Sequence, residues 1–230
     1  MSEWVELPVA DGTTMRAYVA RPAGTPRRGL LVFQEAFGVN AHIRDVAERF
    51  AAQGFLAIAP ELFHRKAPGF DCPYTEFAKA MPQLEAVTEQ GLDADARAAY
   101  GWLETSVGGN IASAGYCLGG RVSFIANSAL PLKAAVSYYG GRIPTVLHRA
   151  PALGGPMMFF WGGLDHHIPE EQHRQVIKGV RDAGKTFVDV VFSNADHGFF
   201  CDARASYHAD SAAQAWALTI AFLDSYCKQA

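Results

Sequence analysis

Four side chains capable of nucleophilic or acid–base chemistry each follow a predicted apolar strand. Glu35 follows LLVFQ, Cys117 follows NIASAGY, Asp165 lies just after MMFFWGG, and His197 follows VVFSNAD. The chain order of nucleophile, acid and histidine is one of the orders in which catalytic triads occur. We therefore predict that Cys117 attacks a carbonyl carbon, that His197 acts as general base and then general acid, and that Asp165 fixes the imidazole tautomer.

The stretch GYCLGG, from Gly115 to Gly120, is typical of a sharp turn between a strand and a helix. Glycines on either side of Cys117 avoid clashes in a strained turn, and the following helix N-terminus places amides and partial positive charge beside the sulfur. Such a position lowers the pKa of a thiol. The turn by itself is equally compatible with a small buried cysteine. The order with Asp165 and His197 favours the nucleophile.

Simpler structural roles exist for the other candidates. Asp165 could cap the helix that begins near Pro169. The adjacent His166 and His167 have no partners at metal-ligand spacing, so we interpret them as loop surface and expect no metal. Glu35 could form an ion pair with an arginine, or it could face Cys117 and control the protonation of its thiol.

An oxyanion intermediate needs backbone donors close to the nucleophile. We predict that the amides of Ala36 and of Leu118, the residue after Cys117, supply them.

The elements that must position these residues alternate between strands and helices. An antiparallel hairpin is predicted first, from WVELP and TMRAYVARP around Asp11-Gly12. A helix then runs over NAHIRDVAERFAAQG, with Asn40 as N-cap and Gly54 as its stop. Wholly apolar strands separated by helices predict an α/β fold, a mostly parallel sheet with helices on both faces. Ligands bind such sheets at the carboxyl ends of the strands, which is where the four candidates lie.

Composition bounds the remaining choices. The 230 residues, 50% of them hydrophobic, suffice for one domain over 1–230, with residues 60–91 as a cap-like region of loop and short helices. A net charge of −3 argues against a nucleic-acid or anionic-membrane partner. No signal sequence or span of roughly 18 apolar residues is apparent. Four widely spaced cysteines predict reduced thiols and a cytoplasmic protein.

The chain resembles the dienelactone hydrolase (carboxymethylenebutenolidase) family of α/β-hydrolases. The resemblance rests on QEAFGVNAHIRDVAERFAAQGFLAIAPELF, GYCLGGR, GGLDHHIP and DHGFF, which extend from about Leu31 to Phe200. It implies an α/β-hydrolase fold, a triad of Cys117, His197 and Asp165, and a glutamate, Glu35, that contacts the resting thiol. It also implies opening of an unsaturated lactone without a metal or organic cofactor.

The resemblance is incomplete where the family binds the carboxylate of its substrate with two arginines. The region of the first, CPYTEFAKAMPQLEAV, has Lys79 and no arginine, and Cys201 stands at the position of the second, with Arg204 nearby. We predict Arg204 and Lys79 as substitutes, with Phe37, Tyr74 and Phe199 as further substrate contacts. Dienelactone itself is therefore less well supported as the substrate than lactone or ester chemistry in general.

The combined prediction is a monomeric or homodimeric carboxylic-ester hydrolase that acts on a small-molecule lactone or ester through a thioester acyl-enzyme. One alternative is an esterase or thioesterase for another small neutral substrate. A second alternative, from a different class, is a non-catalytic binding protein on the same scaffold.

Overall fold

The structure, a computed structural model, describes residues 2–228. Its centre is an eight-stranded sheet in the order β1-β2-β4-β3-β5-β6-β7-β8. The strands are β1 (Ser2–Pro8), β2 (Thr14–Ala20), β3 (Gly29–Phe33), β4 (Leu56–Pro60), β5 (Ile111–Tyr116), β6 (Ala135–Tyr138), β7 (Met157–Gly162) and β8 (Phe187–Phe192). β1, β2 and β4 pair antiparallel, whereas β4, β3, β5, β6, β7 and β8 pair parallel.

Six α-helices surround the sheet within the described part of the chain. They are α1 (Ala41–Ala52), α2 (Phe77–Ala86), α3 (Glu89–Val107), α4 (Leu118–Ala129), α5 (Glu170–Asp182) and α6 (Ala209–Tyr226). Two 3₁₀ helices, Tyr74–Glu76 and Ile143–Ala152, complete the regular structure. The predicted fold class, a mostly parallel α/β sheet with an N-terminal hairpin, is confirmed.

The N-terminal hairpin closes around the side chain of Asp11. Its Oδ1 accepts hydrogen bonds from the amide and the hydroxyl of Thr13, at 3.0 and 2.6 Å. Gly12 has φ of 86°, a left-handed conformation that glycine adopts without a steric cost. The hairpin lies at the edge of the sheet because only β2 pairs with the parallel strands, through β4.

The wholly apolar strands lie in the middle of the sheet. Every residue of β3, β4, β5 and β6 is buried, as expected for strands covered on both faces. β8 forms the opposite edge, and its Val188 and Val191 are exposed. The exposed residues of β8 therefore reflect its position at the edge of the sheet, unlike the fully covered strands of the centre.

Helix α1 shows how capping and packing cooperate. The side chain of Asn40 accepts a hydrogen bond from the amide of Ile43 at 3.1 Å, and Gly54 follows the helix with φ of 92°, so both predicted boundaries are confirmed. Phe50 of this helix packs on Trp216 of α6, with ring centroids 4.6 Å apart. The two helices thus cover the sheet together.

Three local features differ from the sequence-based expectation. The pattern of LDADARAAYGWLET predicts a helix from Leu92, but α3 begins at Glu89 because Thr88 caps it by accepting from the amide of Gly91 at 3.0 Å. The 3₁₀ helix at 143–152 was not predicted, since prolines at both ends obscure its pattern. The pattern of SAAQAWALTIAFLDSYCKQ predicts a last helix from Ser211 to Gln229; α6 begins two residues earlier, at Ala209, and Gln229 lies outside the described residues.

The segment between β4 and α3 is fixed to the rest of the molecule by a buried carboxylate. Asp95 of α3, fully buried, accepts from both terminal nitrogens of Arg65 at 2.8 and 2.9 Å and lies 3.1 Å from the ring of His64. Arg65 also donates to Asp11 at 2.6 Å.

Among the described helices, none is long and apolar enough to cross a bilayer.

Candidate active site

Cys117 lies between β5 and α4 in a strained backbone conformation. Its φ is 53° and its ψ is −110°, which non-glycine residues rarely adopt. The conformation is held by backbone bonds, since the amide of Cys117 donates to the carbonyl of Tyr138 at 3.0 Å. The strain aims the side chain out of the sheet into a cavity, which Cys117 lines.

The glycines of the turn allow three elements to approach closely. A Cβ on Gly115 would lie 1.9 Å from the carbonyl oxygen of Gly119, and a Cβ on Gly119 would lie 2.1 Å from that of Phe33. The amide of Gly119 also donates to the carbonyl of Gln34 at 2.9 Å. Only glycine fits at these positions, so GYCLGG fixes the start of α4 against the end of β3.

His197 and Asp165 meet at the same edge of the sheet although 32 residues separate them. The ring Nδ1 of His197 is 2.7 Å from Oδ2 of Asp165, and both residues are buried. The other oxygen of Asp165 accepts from the amides of His167 and Ile168, at 2.7 and 3.0 Å. Asp165 therefore holds its own loop and the imidazole, and it is not the N-cap of α5, which is Pro169.

The charges of this group reinforce one another. Burial alone would lower the pKa of His197, but the Cys117 sulfur and the Asp165 carboxylate outweigh burial and raise it to about 10. Burial acts to raise the pKa of Asp165, yet the hydrogen bond and charge of His197 and the two loop amides lower it. The arrangement favours a charged imidazole between the sulfur of Cys117 and the anionic carboxylate of Asp165.

Two backbone amides are available near the sulfur. Ala36 and Leu118 both line the cavity that Cys117 and His197 line. Neither amide donates a hydrogen bond to any of the described residues. A helix N-terminus with a free amide is a favourable place for developing negative charge.

Glu35 is fully buried and is not among the residues that line the cavity. Its Oε1 accepts from Nη1 of Arg204 at 3.2 Å, whereas its Oε2 has no hydrogen-bond partner among residues 2–228. The sequence left two possible partners for Glu35, an arginine or the thiol of Cys117. The hydrogen-bond partner in the structure is the arginine, Arg204. A Cβ on Gly198 would lie 2.4 Å from the guanidinium of Arg204, so this glycine, next to His197, makes room for the ion pair.

The cavity has a volume of about 420 Å³. One wall is apolar and comes largely from the segment between β4 and α3, with Phe37, Tyr74, Phe77, Leu84 and Ile168 as its side chains. The guanidinium of Arg204 lies 5.7 Å from the ring centroids of both Phe37 and Tyr74. A small ligand with an apolar body fits this space.

Two of the side chains predicted to contact substrate do not line the cavity. Lys79 is exposed and pairs with Glu76 one helical turn away, so its charge is used at the surface of α2. Phe199 is fully buried against Tyr139 and Phe192, with ring centroids 5.4 and 5.3 Å away. Phe199 is therefore part of the hydrophobic core. We do not retain Lys79 or Phe199 as substrate contacts.

Three polar side chains of the cavity had no role assigned from the sequence. They are Arg121, Arg142 and His167. His167 was interpreted as loop surface; it is exposed, but its ring also lies 5.2 Å from that of His197. Arg121 lies in GYCLGGR, shortly after β5, and Arg142 lies shortly after β6. Because ligands bind at the carboxyl ends of parallel strands, these positions could have identified both arginines from the sequence.

One group of buried side chains among the described residues has the donor types of a metal site. Single donor atoms of Glu35, His42 and Cys201 lie within 4.8 Å of one another. The positive charge of Arg204 is already hydrogen-bonded to Glu35, so a cation at this position would meet electrostatic repulsion.

Comparison with known proteins identifies close relatives. The model of the dienelactone hydrolase family matches residues 15–227. A carboxymethylenebutenolidase of Pseudomonas putida is 30% identical over 228 residues, which cover 94% of this chain and 93% of that protein. A Synechocystis protein named "Putative carboxymethylenebutenolidase" is 35% identical over 216 residues, covering 86% of this chain and 87% of its own. The crystal structure of a "Putative Dienelactone Hydrolase" from Klebsiella pneumoniae has a TM-score of 0.87 and 31% identity, covering 98% and 100% of the two chains.

Proposed function

Because this chain belongs to the dienelactone hydrolase family, a family of carboxylic-ester hydrolases, we propose that it opens a small lactone or ester through Cys117, His197 and Asp165. The observation that carries the proposal is the 2.7 Å contact between His197 and Asp165 at the wall of the cavity that Cys117 also lines. Nucleophile, base and orienting acid are the parts that covalent acyl transfer requires.

The first half of the reaction forms a thioester. His197 holds the proton of the Cys117 thiol, and the sulfur attacks the carbonyl carbon of the substrate. The amides of Ala36 and Leu118 stabilise the negative charge that develops on the carbonyl oxygen. When the tetrahedral intermediate collapses, the bond to the alcohol oxygen breaks and His197 returns the proton to that oxygen.

The second half releases the acid. His197 takes a proton from a water molecule, the hydroxide adds to the thioester carbonyl, and the carbon–sulfur bond breaks. The sulfur leaves with its electron pair and recovers the Cys117–His197 pair. In a lactone, the alcohol and the acid stay in one molecule, so ring opening consumes one water and yields a hydroxy acid or its tautomer.

Glu35 has a supporting role in this proposal. It is buried and has one free oxygen, and the charge of Arg204 compensates it in the resting enzyme. A ligand that draws Arg204 away would leave the carboxylate uncompensated, and an uncompensated buried carboxylate becomes a stronger base. Glu35 would then favour removal of the proton from the thiol.

An esterase or thioesterase that acts on another small neutral molecule is the nearest alternative. The size of the cavity supports a small substrate, since about 420 Å³ leaves little space for a long acyl chain. A binding protein without catalysis is less well supported, because a strained cysteine paired with a buried histidine and aspartate has no use in simple binding.

The proposal is tested with Cys117→Ala and hydrolysis of 4-nitrophenyl acetate. We expect the variant to lose at least about a thousandfold in kcat/KM, in line with the loss of a nucleophile in related triads. Cys227→Ala serves as the matched control, because Cys227 is buried after α6, away from the cavity. Hydrolysis by Cys117→Ala at the control's rate would contradict the mechanism.

Alkylation distinguishes the enzyme from the binding protein. Burial raises the pKa of Cys72, raises that of Cys201 to about 12 and raises that of Cys227 to about 11. Protonated thiols react slowly, so iodoacetamide at pH 7 should modify Cys117 first and abolish hydrolysis in proportion. Uniform slow modification of all four cysteines would support the binding protein.

A further inference from the structure

Arg121 is a buried cation without a direct partner. It belongs to the first turn of α4 and is 8% exposed. Its Nε has no hydrogen-bond partner, and within residues 2–228 its guanidinium forms neither a hydrogen bond nor an ion pair. Burying an unpaired charge is costly, so proteins rarely do it unless a ligand supplies the counter-charge.

The surroundings of Arg121 increase the need for an anion. Burial and the neighbouring charge of Arg142 lower the pKa of Arg121. The Cys117 sulfur and Glu89 act in the opposite direction, but among the described residues neither forms a hydrogen bond or ion pair with the guanidinium, and the carboxylate of Glu89 is hydrogen-bonded to Arg149. Among the described residues, no carboxylate is therefore paired directly with the guanidinium of Arg121.

Arg142 adds a second guanidinium to the same wall. It lines the cavity, is exposed, and has no salt bridge within the described ranges. Its φ of 61° is a left-handed conformation that non-glycine residues rarely adopt. Strained residues of this kind concentrate at ligand-binding positions, where the conformation serves to direct a side chain.

We propose that Arg121 and Arg142 form an anion-binding site in the wall of the cavity, which binds a carboxylate or phosphate group of the substrate. The inference rests on the proposed hydrolase function and adds a substrate class to it: an ester or lactone that carries a negative group. Guanidinium groups suit such anions because their N–H donors match two oxygens at once.

This site differs from the positions that the family resemblance pointed to. Without a ligand, Arg204 is hydrogen-bonded to Glu35, whereas Arg121 has no such partner among the described residues, and Lys79 is at the surface with Glu76. Arg121 and Arg142 instead follow the carboxyl ends of β5 and β6, next to Cys117. An anion bound there lies at the N-terminus of α4, where the helix dipole also favours negative charge.

The test compares two esters of the same length that differ in one charge. They are 4-nitrophenyl hydrogen succinate, which is an anion at pH 7, and its neutral methyl ester. We expect the protein to prefer the anion, and we expect Arg121→Met to lower the ratio of the two kcat/KM values at least about tenfold, mainly through KM, because a charge-assisted hydrogen bond is lost.

Two further variants complete the series. Arg121→Lys keeps the charge and should recover part of the preference. Arg142→Asn, whose side chain tolerates the left-handed backbone, should lower the ratio as well. An unchanged ratio in Arg121→Met and Arg142→Asn would overturn the proposal. So would slower alkylation of Cys117 in Arg121→Met with an unchanged ratio, because Arg121 would then act on the thiolate rather than on substrate.

Stability separates a ligand site from a structural role. Because Arg121 is an unpaired buried charge, Arg121→Met should keep or raise the Tm in the absence of ligand. A Tm lowered by several degrees would mean that the guanidinium holds the fold together, and would count against the proposal.

Calorimetry on Cys117→Ala tests the site without catalysis. Succinate and inorganic phosphate are titrated separately, and binding that disappears in Cys117→Ala/Arg121→Met supports the site and identifies the preferred anion. If hydrolysis is absent but this binding is present, the proposed function fails and the anion site stands. If hydrolysis is present but neither anion binds and the protein shows no preference for the anionic ester, only the anion site fails.

Discussion

The imidazole of His197 lies between an anionic carboxylate and a sulfur and is largely buried at the wall of the cavity. The low dielectric strengthens both attractions, and together they outweigh the burial that would discharge the ring. The proton that the mechanism moves is therefore held in the folded protein at pH values where a free imidazole would lose it. This single property links the chemistry of the site to the stability of the molecule.

At the scale of residues, we predict how the free energy of unfolding depends on pH. The pKa of His197 is raised from 6.5 to about 10, so between these values the folded state binds a proton that the unfolded state has lost. Stability from this group is fully present below pH 6.5 and falls as pH rises toward 10. We expect the difference in free energy of unfolding between the wild type and His197→Gln to shrink from pH 6 to pH 10.

Urea denaturation at pH 6, 8 and 10 measures this difference. His166→Gln is the control, since His166 is an exposed histidine of the neighbouring loop. A difference for His197→Gln that is constant over the pH range, or that grows with pH, would show that the histidine is not held in its charged form.

At the scale of elements, the sharp turn at Cys117 depends on contacts between β3, β5 and α4. The close approach of Gly119 to Phe33 brings the start of α4 against the first strand of the parallel sheet. Leu118 precedes Gly119 and lines the same cavity as Ala36, so this contact helps to position one of the two free amides. Any side chain at Gly119 has to separate these elements.

Gly119→Ala is the prediction for this scale. The new Cβ would lie 2.1 Å from the Phe33 carbonyl oxygen, so we expect a loss of about 1–3 kcal/mol in stability, typical of overpacking, together with a larger relative loss of hydrolysis. Chemical denaturation and ester hydrolysis measure the two effects.

Gly101→Ala provides the matched control in a helix. Its new Cβ would meet no atom within 4 Å, and alanine favours the helix, so we expect a gain of about 0.5–1 kcal/mol without a change in hydrolysis. Equal effects of the two substitutions on stability would contradict the close contact at Gly119.

At the scale of the whole molecule, the wall of the cavity is held in place from a distance. Tyr74, Phe77 and Leu84 line the cavity and belong to a segment that leaves the sheet after β4. Arg65 and His64 connect the beginning of that segment to Asp95 of α3. The position of the substrate wall therefore depends on a buried carboxylate, Asp95, that does not line the cavity.

Asp95→Ala tests this connection. Removing the carboxylate leaves Arg65 and His64 without their buried partner, so we expect a loss of about 3–5 kcal/mol in stability, as for other broken buried pairs, reduced where Arg65 reaches solvent. We also expect a higher KM, because the aromatic wall loses its anchor. Thermal denaturation and steady-state kinetics measure these changes.

Glu170→Gln is the control for an ion pair at the surface. Glu170 and Arg174 are both largely exposed, so breaking their pair should change stability by less than about 0.5 kcal/mol. A loss for Asp95→Ala as small as this would show that the segment is held by its apolar contacts alone.

The order of elements and the positions of Cys117, Asp165, His197 and Glu35 could be predicted from local patterns. Apolar runs, glycines and helix caps are written in neighbouring residues, and the strands of a parallel sheet bring their carboxyl ends to one edge. The early start of α3 could not be predicted, because a single capping residue sets it rather than the apolar periodicity. The 3₁₀ helix at 143–152 could not be predicted either, because its prolines obscure the helical pattern.

The sequence by itself determined the fold class and the chemical type of each candidate side chain, because these follow from short-range patterns. Only the tertiary structure decided which charges have partners: Arg204 meets Glu35 across 169 residues, Lys79 turns to the surface, and Arg121 is left buried without a counter-charge. The physical reason is that electrostatic compensation depends on distance and burial in space. Residues far apart along the chain fix both.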